Sequence, residues 1–331
     1  MILRGNPMGR QHRLDRLHIF DLDIGLEQKM EKPYKNSAKP YGYCKGIVLL
    51  FVDSVRLAVW NPSTQQYRKL RRCPIKVPQG CHCNKTAMGL GYDSSTGEYK
   101  VVLIEEVKTD NNVHDSQVWI FGLRSNSWRR SSQAFPHRRV KFACSGYFAD
   151  GSLYWLCRSN RGQYALIAFD IAKETISEVS EPLYPYKSQF PYTDIHVLDG
   201  RLCMSFFSWN PLEAVFYVRE KDGQWNKLFS ITLEIPLPFH ITLFREVKVL
   251  GYWKEGDNKI VLDCGFKFIA LYDLKEKTFT TTEERKLIGD VNKRLCYYPF
   301  LCHQSLVSVR AVNLPRRSSS GRKRKNMNQQ P

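Results

Sequence analysis

The chain has 331 residues, of which 43% are hydrophobic and 25% are charged, and its formal net charge is +18. These proportions are ordinary for a soluble globular protein with a sizeable core, and the basic excess favours contact with an acidic partner or with nucleic acid. No apolar run exceeds the length of a strand and no secretory signal is visible at the start, so we expect no membrane span and a location in the nucleus or the cytoplasm.

Residues 1–40 form the first segment of the chain. Their apolar residues alternate with polar ones around 17–22, which predicts a short strand, while the rest is polar and basic. We therefore expect a strand followed by a loop in this segment, without a compact domain of its own.

From residue 41 to residue 312 the pattern is uniform. Short apolar runs rich in β-branched and aromatic residues alternate with clusters of Gly, Asp, Asn, Ser and Pro, which predicts many short strands. Five times a large residue ends such a run, a polar turn follows, and another large residue stands seven positions later. These anchor pairs recur roughly every fifty residues, a period typical of stacked supersecondary units. The pairs are Trp60 with Tyr67, Phe121 with Trp128, Phe169 with Ile176, Val218 with Trp225, and Tyr272 with Phe279.

A turn and a further strand precede most of these pairs. Two of the turns contain Asp-Gly, which suits the positive φ angles of a tight hairpin. Each period then holds about four strands, so the predicted fold is an all-β, propeller-like array of five to six four-stranded, kelch-like units. A twisted β-sandwich is the alternative. We expect both members of each anchor pair to pack between neighbouring blades and the run 305–309 to supply a closing strand.

Residues 313–331 form a basic tail with no apolar residues to bury, and we expect it to be disordered. A compact basic run within it, Arg322-Lys323-Arg324-Lys325, suits either nuclear import or loose contact with a polyanion.

Motifs for catalysis are missing from the sequence. We find no phosphate-binding loop, no nucleophile elbow and no zinc-protease motif, so no catalytic residue and no cofactor is predicted. Cys81-His82-Cys83, with Cys73 upstream, is the one group that resembles a metal site. Adjacent ligands cannot all face one ion, so no metal site is predicted. The ten cysteines are interpreted mainly as reduced thiols.

A second basic group surrounds two aromatic residues, Trp128 and Phe135. Its members are Arg129, Arg130, Arg138, Arg139 and Lys141. Two interpretations stay open: a solvated loop face, or a site for an acidic peptide or single-stranded nucleic acid.

The repeated units carry short motifs in a fixed order. They are Val59–Thr64, Leu90–Asp93, Val118–Phe121, Ser127–Arg129, Gly151–Trp155, Ile167–Asp170, Trp225–Phe229 and Ser305–Val307. In order and spacing they resemble the plant F-box proteins that carry an F-box-associated interaction domain of type 1. The resemblance extends from about residue 41 to residue 309.

The resemblance implies a function. In that family an N-terminal F-box docks on the Skp adaptor of a cullin ubiquitin ligase, and the associated domain captures a protein substrate. We therefore expect a non-enzymatic substrate-recognition domain. Residues 1–40 resemble the segment between the two modules, so we expect the chain to start after the F-box. We then expect the Skp adaptor and the cullin to be partners only if the protein retains an F-box function. The alternatives are a basic nucleic-acid-binding β protein and a decayed or competing F-box-like protein without a ligase role.

Overall fold

A computed structural model describes residues 2–7, 14–21, 26–30, 38–52, 56–72, 86–108, 114–133, 141–142, 145–158, 164–183, 192–209, 212–232, 247–252, 258–264, 269–280 and 305–309. Within these ranges the chain forms antiparallel strands and tight turns, and it contains no helix. Accordingly, no helix in the described ranges is long and apolar enough to cross a membrane.

The strands form five antiparallel sheets. The first contains β1 (Ile2–Pro7), β2 (Leu14–Asp21), β3 (Leu26–Met30), β4 (Ala38–Cys44), β5 (Ile47–Val52), β6 (Arg56–Asn61) and β7 (Gln66–Lys69). The second contains β8 (Thr86–Asp93), β9 (Glu98–Lys108), β10 (His114–Gly122) and β11 (Ser127–Arg130). The third contains β12 (Lys141–Phe142), β13 (Tyr147–Ala149), β14 (Ser152–Arg158), β15 (Tyr164–Asp170) and β16 (Ile176–Val179). The fourth contains β17 (Tyr192–Leu198), β18 (Arg201–Trp209), β19 (Leu212–Arg219) and β20 (Trp225–Thr232). The fifth contains β21 (Val247–Tyr252), β22 (Lys259–Cys264), β23 (Ile269–Asp273) and β24 (Thr278–Thr280).

Each sheet has a core of four meandering strands, and the five sheets are the blades of a β-propeller. The cores are β4–β7, β8–β11, β13–β16, β17–β20 and β21–β24. Their first strands contact one another in succession, from β4 to β8, β13, β17 and β21. The predicted all-β propeller is thus confirmed, with five blades in the described part of the chain, and the sandwich alternative is wrong.

The N-terminal segment is more regular than the sequence indicates. The predicted strand lies in β2, which pairs with β1 on one side and β3 on the other, and which also meets β4 where Leu14 lies opposite Ala38. The residues of β3 were expected in a loop because they lack alternation. Pairing with β2 supplies the backbone hydrogen bonds of β3, and such tertiary context can place a polar segment in a strand.

The first hairpin of three blades closes with a two-residue loop. Lys45-Gly46, Asp150-Gly151 and Asp199-Gly200 all have φ between 43° and 86° at both positions. Two positive φ values define the mirror-image turn that matches the twist of adjacent strands. The Asp-Gly turns therefore lie where the sequence predicts them.

The seven-residue spacing of the anchors reflects the loop between the third and fourth strands of a blade. Four of the five pairs are direct cross-strand partners: Trp60 with Tyr67, Phe121 with Trp128, Phe169 with Ile176, and Tyr272 with Phe279. In every blade the residue five positions after the first anchor has a positive φ. These residues are Gln65, Asn126, Glu174, Gly223 and Lys277. The repeat is thus a recurring hairpin in which one left-handed residue turns the chain.

Blade 4 departs from this pairing. Val218 lies opposite Asn226. Trp225 lies opposite Arg219, because the loop here has three residues instead of four. Gly223 supplies the left-handed residue, with φ of 89°, that such a loop requires. Sequence spacing alone does not reveal the difference.

Candidate functional site

The first member of each anchor pair is almost fully buried. Phe121 of blade 2 shares a core cluster with Val59 of blade 1. Phe169 of blade 3 shares one with Val102 of blade 2, and Tyr272 lies in the cluster common to blades 4 and 5. These buried aromatic side chains pack between blades. They are therefore not part of the surface that a partner could reach.

The second member of each pair is less buried than the first. These residues are Tyr67, Trp128, Ile176, Trp225 and Phe279, and all five are only half-buried. The reason is their position, because each lies on the last strand of its blade, where no further strand of the same sheet covers it.

Tyr67 and Phe279 show this difference most simply. Tyr67 lies opposite the fully buried Trp60, yet its own side chain is partly exposed. The ring of Phe279 lies 4.9 Å from the ring of Tyr272 and packs against the cluster of blades 4 and 5 from its margin. Partial burial of this kind adds a detail that the sequence pattern does not predict, namely that Tyr67 and Phe279 lie at the margin of the packing and not inside it. They cover the buried anchors and leave part of their own surface accessible.

The turn after the first anchor is fixed by a carboxylate or amide oxygen. In blades 1, 3 and 5 the Oδ1 atoms of Asn61, Asp170 and Asp273 accept backbone N–H groups two and three residues further on. Blade 2 has Gly122 at this position, and Glu98 of the preceding strand replaces the missing side chain. Its Oε1 accepts the corresponding N–H groups at 3.0 and 3.2 Å. A Cβ at Gly122 would lie 2.5 Å from that oxygen, so glycine makes room for the carboxylate.

Two tryptophans on outer strands join adjacent blades in the same way. Trp128 Nε1 donates to the carbonyl of Arg71 at 3.0 Å, and Trp225 Nε1 donates to the carbonyl of Ser180 at 2.7 Å. We call the first junction, residues 66–72 with 127–131, the basic seam. The corresponding residues 175–181 with 224–228 form the second seam. Both tryptophans are half-buried, so each seam exposes part of an aromatic ring.

The two seams differ in charge. The basic seam has no Asp or Glu and six cations: Arg68, Lys69, Arg71, Arg72, Arg129 and Arg130. The second seam contains one lysine and two glutamates. Arg68 has a structural role, since its guanidinium donates to the carbonyl of Leu123 and to Oδ1 of Asn126, at 2.9 and 2.7 Å. Arg129 forms an ion pair with Glu174.

The other four cations of the basic seam, Lys69, Arg71, Arg72 and Arg130, are exposed, and none has an ion-pair partner among the residues that the structure describes. The sequence pattern around Trp128 found only part of this set. It predicted Arg129 and Arg130 together with Arg138 and Arg139, which lie outside the described residues, and it missed blade 1. The two arginines after β7 come close only because blades 1 and 2 are neighbours, so no local signal reveals them.

A buried ion network links blades 2 and 3. Lys100 Nζ lies 2.9 Å from Oδ2 of Asp93 and 2.9 Å from Oε1 of Glu174, and it also donates to the carbonyl of Ile171. Glu174 accepts a further hydrogen bond from Arg129. The lysine and Asp93 side chains are almost fully buried, at 9% and 1% exposure. No local sequence signal reveals this network, because Glu174 lies 74 positions after Lys100.

The network holds its members in their charged forms. Burial acts to raise the pKa of Asp93, but hydrogen bonds from Ser95, Lys100 and Thr96 outweigh it and hold that pKa well below its usual range. Burial likewise opposes the charged form of Glu174, but hydrogen bonds from Arg129 and Lys100 outweigh it and lower the pKa of that carboxyl from its ordinary value. Carboxyl groups with lowered folded pKa values stabilise the fold above their unfolded pKa. The network therefore stabilises the junction above about pH 4.5, and that contribution is lost as the pH falls further.

Residues 305–309 dock on blade 1 through side chains. Asn61 Nδ2 donates to the carbonyls of Ser305 and Val307, at 2.9 and 2.7 Å, and Gln66 Oε1 accepts the N–H of Val309 at 3.1 Å. Val309 is 1% exposed and belongs to the core cluster of blades 1 and 2. This run was expected to be a strand. The segment lies against blade 1, as predicted, but forms no strand there. Side chains of blade 1, those of Asn61 and Gln66, take the place of strand partners by bonding to two of its carbonyls and one of its N–H groups.

Three cysteines in the described part of the chain, Cys44, Cys157 and Cys203, are buried free thiols. Burial raises the pKa of Cys157 and Cys203 to about 12, which keeps these thiols protonated. They are core residues, as the sequence indicates. No group of three or more His, Cys, Asp or Glu among the described residues is arranged to hold a metal ion.

Several predicted features lie outside the described residues. They are the tail 313–331 with its run Arg322-Lys323-Arg324-Lys325, and the group Cys73 with Cys81-His82-Cys83. They stay predictions.

Comparison with known proteins identifies relatives over most of the chain. The F-box protein CPR1 of Arabidopsis thaliana is 28% identical over 290 residues, which cover 80% of this chain and 69% of that protein. The F-box/LRR-repeat/kelch-repeat protein At1g09650 of Arabidopsis thaliana is 26% identical over 281 residues, covering 80% and 70%. The F-box/WD-40 repeat-containing protein 1 of Arabidopsis thaliana is 26% identical over 291 residues, covering 80% and 64%.

A family profile matches a still longer part of the chain. The F-box associated beta propeller domain matches residues 16–309, a range that includes most of β2, all five blades and the docked segment 305–309. The resemblance inferred from the ordered motifs is confirmed by this match. The chain belongs to the F-box associated beta propeller domain family.

Proposed function

We propose that this protein binds the protein substrate of an SCF-type ubiquitin ligase and does so through the accessible surface of its propeller, without catalysing a reaction itself. One observation carries the proposal: residues 16–309 match a domain family whose relatives of similar sequence are F-box proteins. The described geometry supports it. Buried aromatic anchors, fixed turns and the ion network produce a rigid scaffold, and the outer strands and seams are left to recognise a partner.

Proximity labelling with the full chain in plant cells tests this proposal. Proteins labelled by a substrate receptor should accumulate when the proteasome is inhibited and also when the chain is depleted. A labelled set that changes under neither condition would contradict substrate recognition for degradation.

Binding of the purified full chain to a Skp adaptor separates two forms of the proposal. Direct binding supports a subunit that works within the ligase. If the adaptor does not bind and overproduction of the chain raises the level of labelled proteins, the chain competes with a ligase for its substrates instead.

The net charge of +18 favours one other function, the binding of nucleic acid. Affinity for a single-stranded oligonucleotide should then fall steeply with salt and survive replacement of Arg322, Lys323, Arg324 and Lys325 by glutamine. Binding that disappears with those four charges is non-specific contact by the tail.

A further inference from the structure

The basic seam carries more positive charge than the fold requires. Lys69, Arg71, Arg72 and Arg130 are exposed, and among the described residues no carboxylate pairs with them. Cations of the same sign crowded on one surface repel one another, so their clustering costs free energy unless an anion is bound.

The second seam provides an internal comparison. It has the same tryptophan-to-carbonyl hydrogen bond, made by Trp225 to Ser180, and it joins its two blades without any arginine in the corresponding residues. Packing two blades around an outer tryptophan therefore does not need arginines. The exposed positive charge around Trp128 is therefore not needed to hold blades 1 and 2 together, which indicates a role in binding.

The geometry at Trp128 favours a peptide over nucleic acid. Its ring lies 5.1 Å from the ring of Phe121 at an angle of 52°, and its Nε1 is bonded to the carbonyl of Arg71. One face of the indole is thus occupied by packing, whereas a platform for bases offers open aromatic faces. Guanidinium groups bind carboxylates, like phosphates, through paired hydrogen bonds, so the acidic side chains of a peptide supply a matching anion.

The strand that carries Trp128 offers a further feature. β11 is the last strand of its sheet, so one of its edges has no strand neighbour among the described residues. A free edge supplies backbone N–H and C=O groups to an extended peptide, and the flanking side chains then select its sequence. Here those side chains are cations.

We propose that the basic seam binds an extended acidic segment, rich in Asp and Glu, of a partner protein. This inference rests on the function proposed above, for which it specifies the substrate class. The carboxylates of the segment pair with Arg71, Arg72 and Arg130, and its apolar groups contact the exposed edge of Trp128.

Fluorescence anisotropy with the full chain and a labelled peptide of about eight glutamates tests the inference. The seam variant is Arg71→Glu, Arg72→Glu and Arg130→Glu. The matched control is Lys221→Glu, Lys227→Glu and Lys275→Glu, which makes the same change in net charge at exposed positions of blades 4 and 5. We expect the seam variant to lose about tenfold or more in affinity and the control to lose about twofold, since distant exposed charges are screened by salt.

Equal losses in the two variants would overturn the inference, because binding would then follow net charge alone. It would also be overturned by an oligonucleotide of equal charge that binds more tightly than the peptide and is lost in the seam variant. Thermal unfolding checks that each variant folds. If the reversed charges unfold the chain, Arg72→Gln with Arg130→Gln provides a milder variant that should still lose affinity.

Proximity labelling with the seam variant distinguishes failure of this inference from failure of the proposed function. Degradation partners that are labelled equally by the variant and the natural chain leave the proposed function intact and place recognition elsewhere. Partners lost only with the seam variant support both.

Discussion

Replacement of Asn61 by aspartate separates the two roles of this side chain. Its Oδ1 fixes a turn, a role that aspartate already fills at Asp170 and Asp273. Its Nδ2 donates to the carbonyls of Ser305 and Val307, and a carboxylate places an acceptor against both of them instead. Asn61→Asp should therefore keep the turn and release residues 305–309 from blade 1.

The expected cost follows from the contacts. Two lost hydrogen bonds contribute about 2 kcal/mol, and a carboxylate left unpaired at this fully buried site adds about 1–3 kcal/mol. Release of the segment limits the total, because the carboxylate then regains water. Release also exposes Val309, whose burial is worth about 1.5–3 kcal/mol. We expect the free energy of unfolding to fall by about 3–5 kcal/mol.

Urea unfolding measures the loss, and hydrogen exchange at residues 305–309 shows whether the segment has been released. Asp170→Asn is the matched control, since its Oδ1 keeps the turn and its stability should be close to that of the natural chain. If Asn61→Asp leaves both the unfolding midpoint and the exchange rates of 305–309 unchanged, the segment is not held by this amide and the reasoning is refuted.

Four further substitutions test the packing within and between blades, each by urea unfolding. Lys100→Met leaves two carboxylates without their shared cation and should cost about 3–5 kcal/mol; a loss below about 1 kcal/mol would show that the network is already solvated. Trp225→Ala removes a half-buried ring and an inter-blade hydrogen bond and should cost about 2–4 kcal/mol, whereas no change would make it a surface residue. Gly146→Ala places a Cβ 2.6 Å from the fully buried ring of Trp155 and should cost about 1–3 kcal/mol. Gly89→Ala, which meets mainly the flexible end of Leu153, should cost less, and the reverse order would contradict the packing.

The local parts of the fold could be predicted from the sequence. An Asp-Gly turn depends on the φ angles of two residues, and an anchor pair depends on a loop of four, so both leave a signal within a few positions of the chain. Repetition of that signal revealed the blades. Blade 4 shows the limit, because a loop shortened by one residue shifts the partners of Val218 and Trp225 while the spacing between them stays seven.

The depth of burial could be predicted for only one member of each anchor pair. Trp60 and Tyr67 look alike in the sequence, as do Tyr272 and Phe279, since all four are large and stand in strands. Their exposure differs because one strand of the hairpin is interior to the blade and the other is its last strand. Spacing along the chain does not carry that information.

The contacts that complete the structure could not be predicted in this way. Asn61 and Val307 are 246 positions apart, and Lys100 and Glu174 are 74 apart. Each looks like an ordinary polar residue in its own segment. The basic seam is a similar case, since Arg71 and Arg130 belong to different blades. Only the arrangement of the blades brings such residues together, so the sequence pattern predicts the scaffold and, of the basic seam, only the two arginines of blade 2.

Affinity capture of the full chain from plant cells, with and without nuclease, tests the central claim that this propeller recognises proteins. We expect a recurrent set of captured proteins that is unchanged by nuclease and enriched when the proteasome is inhibited. Loss of the captured proteins on nuclease treatment would contradict the claim and identify nucleic acid as the ligand.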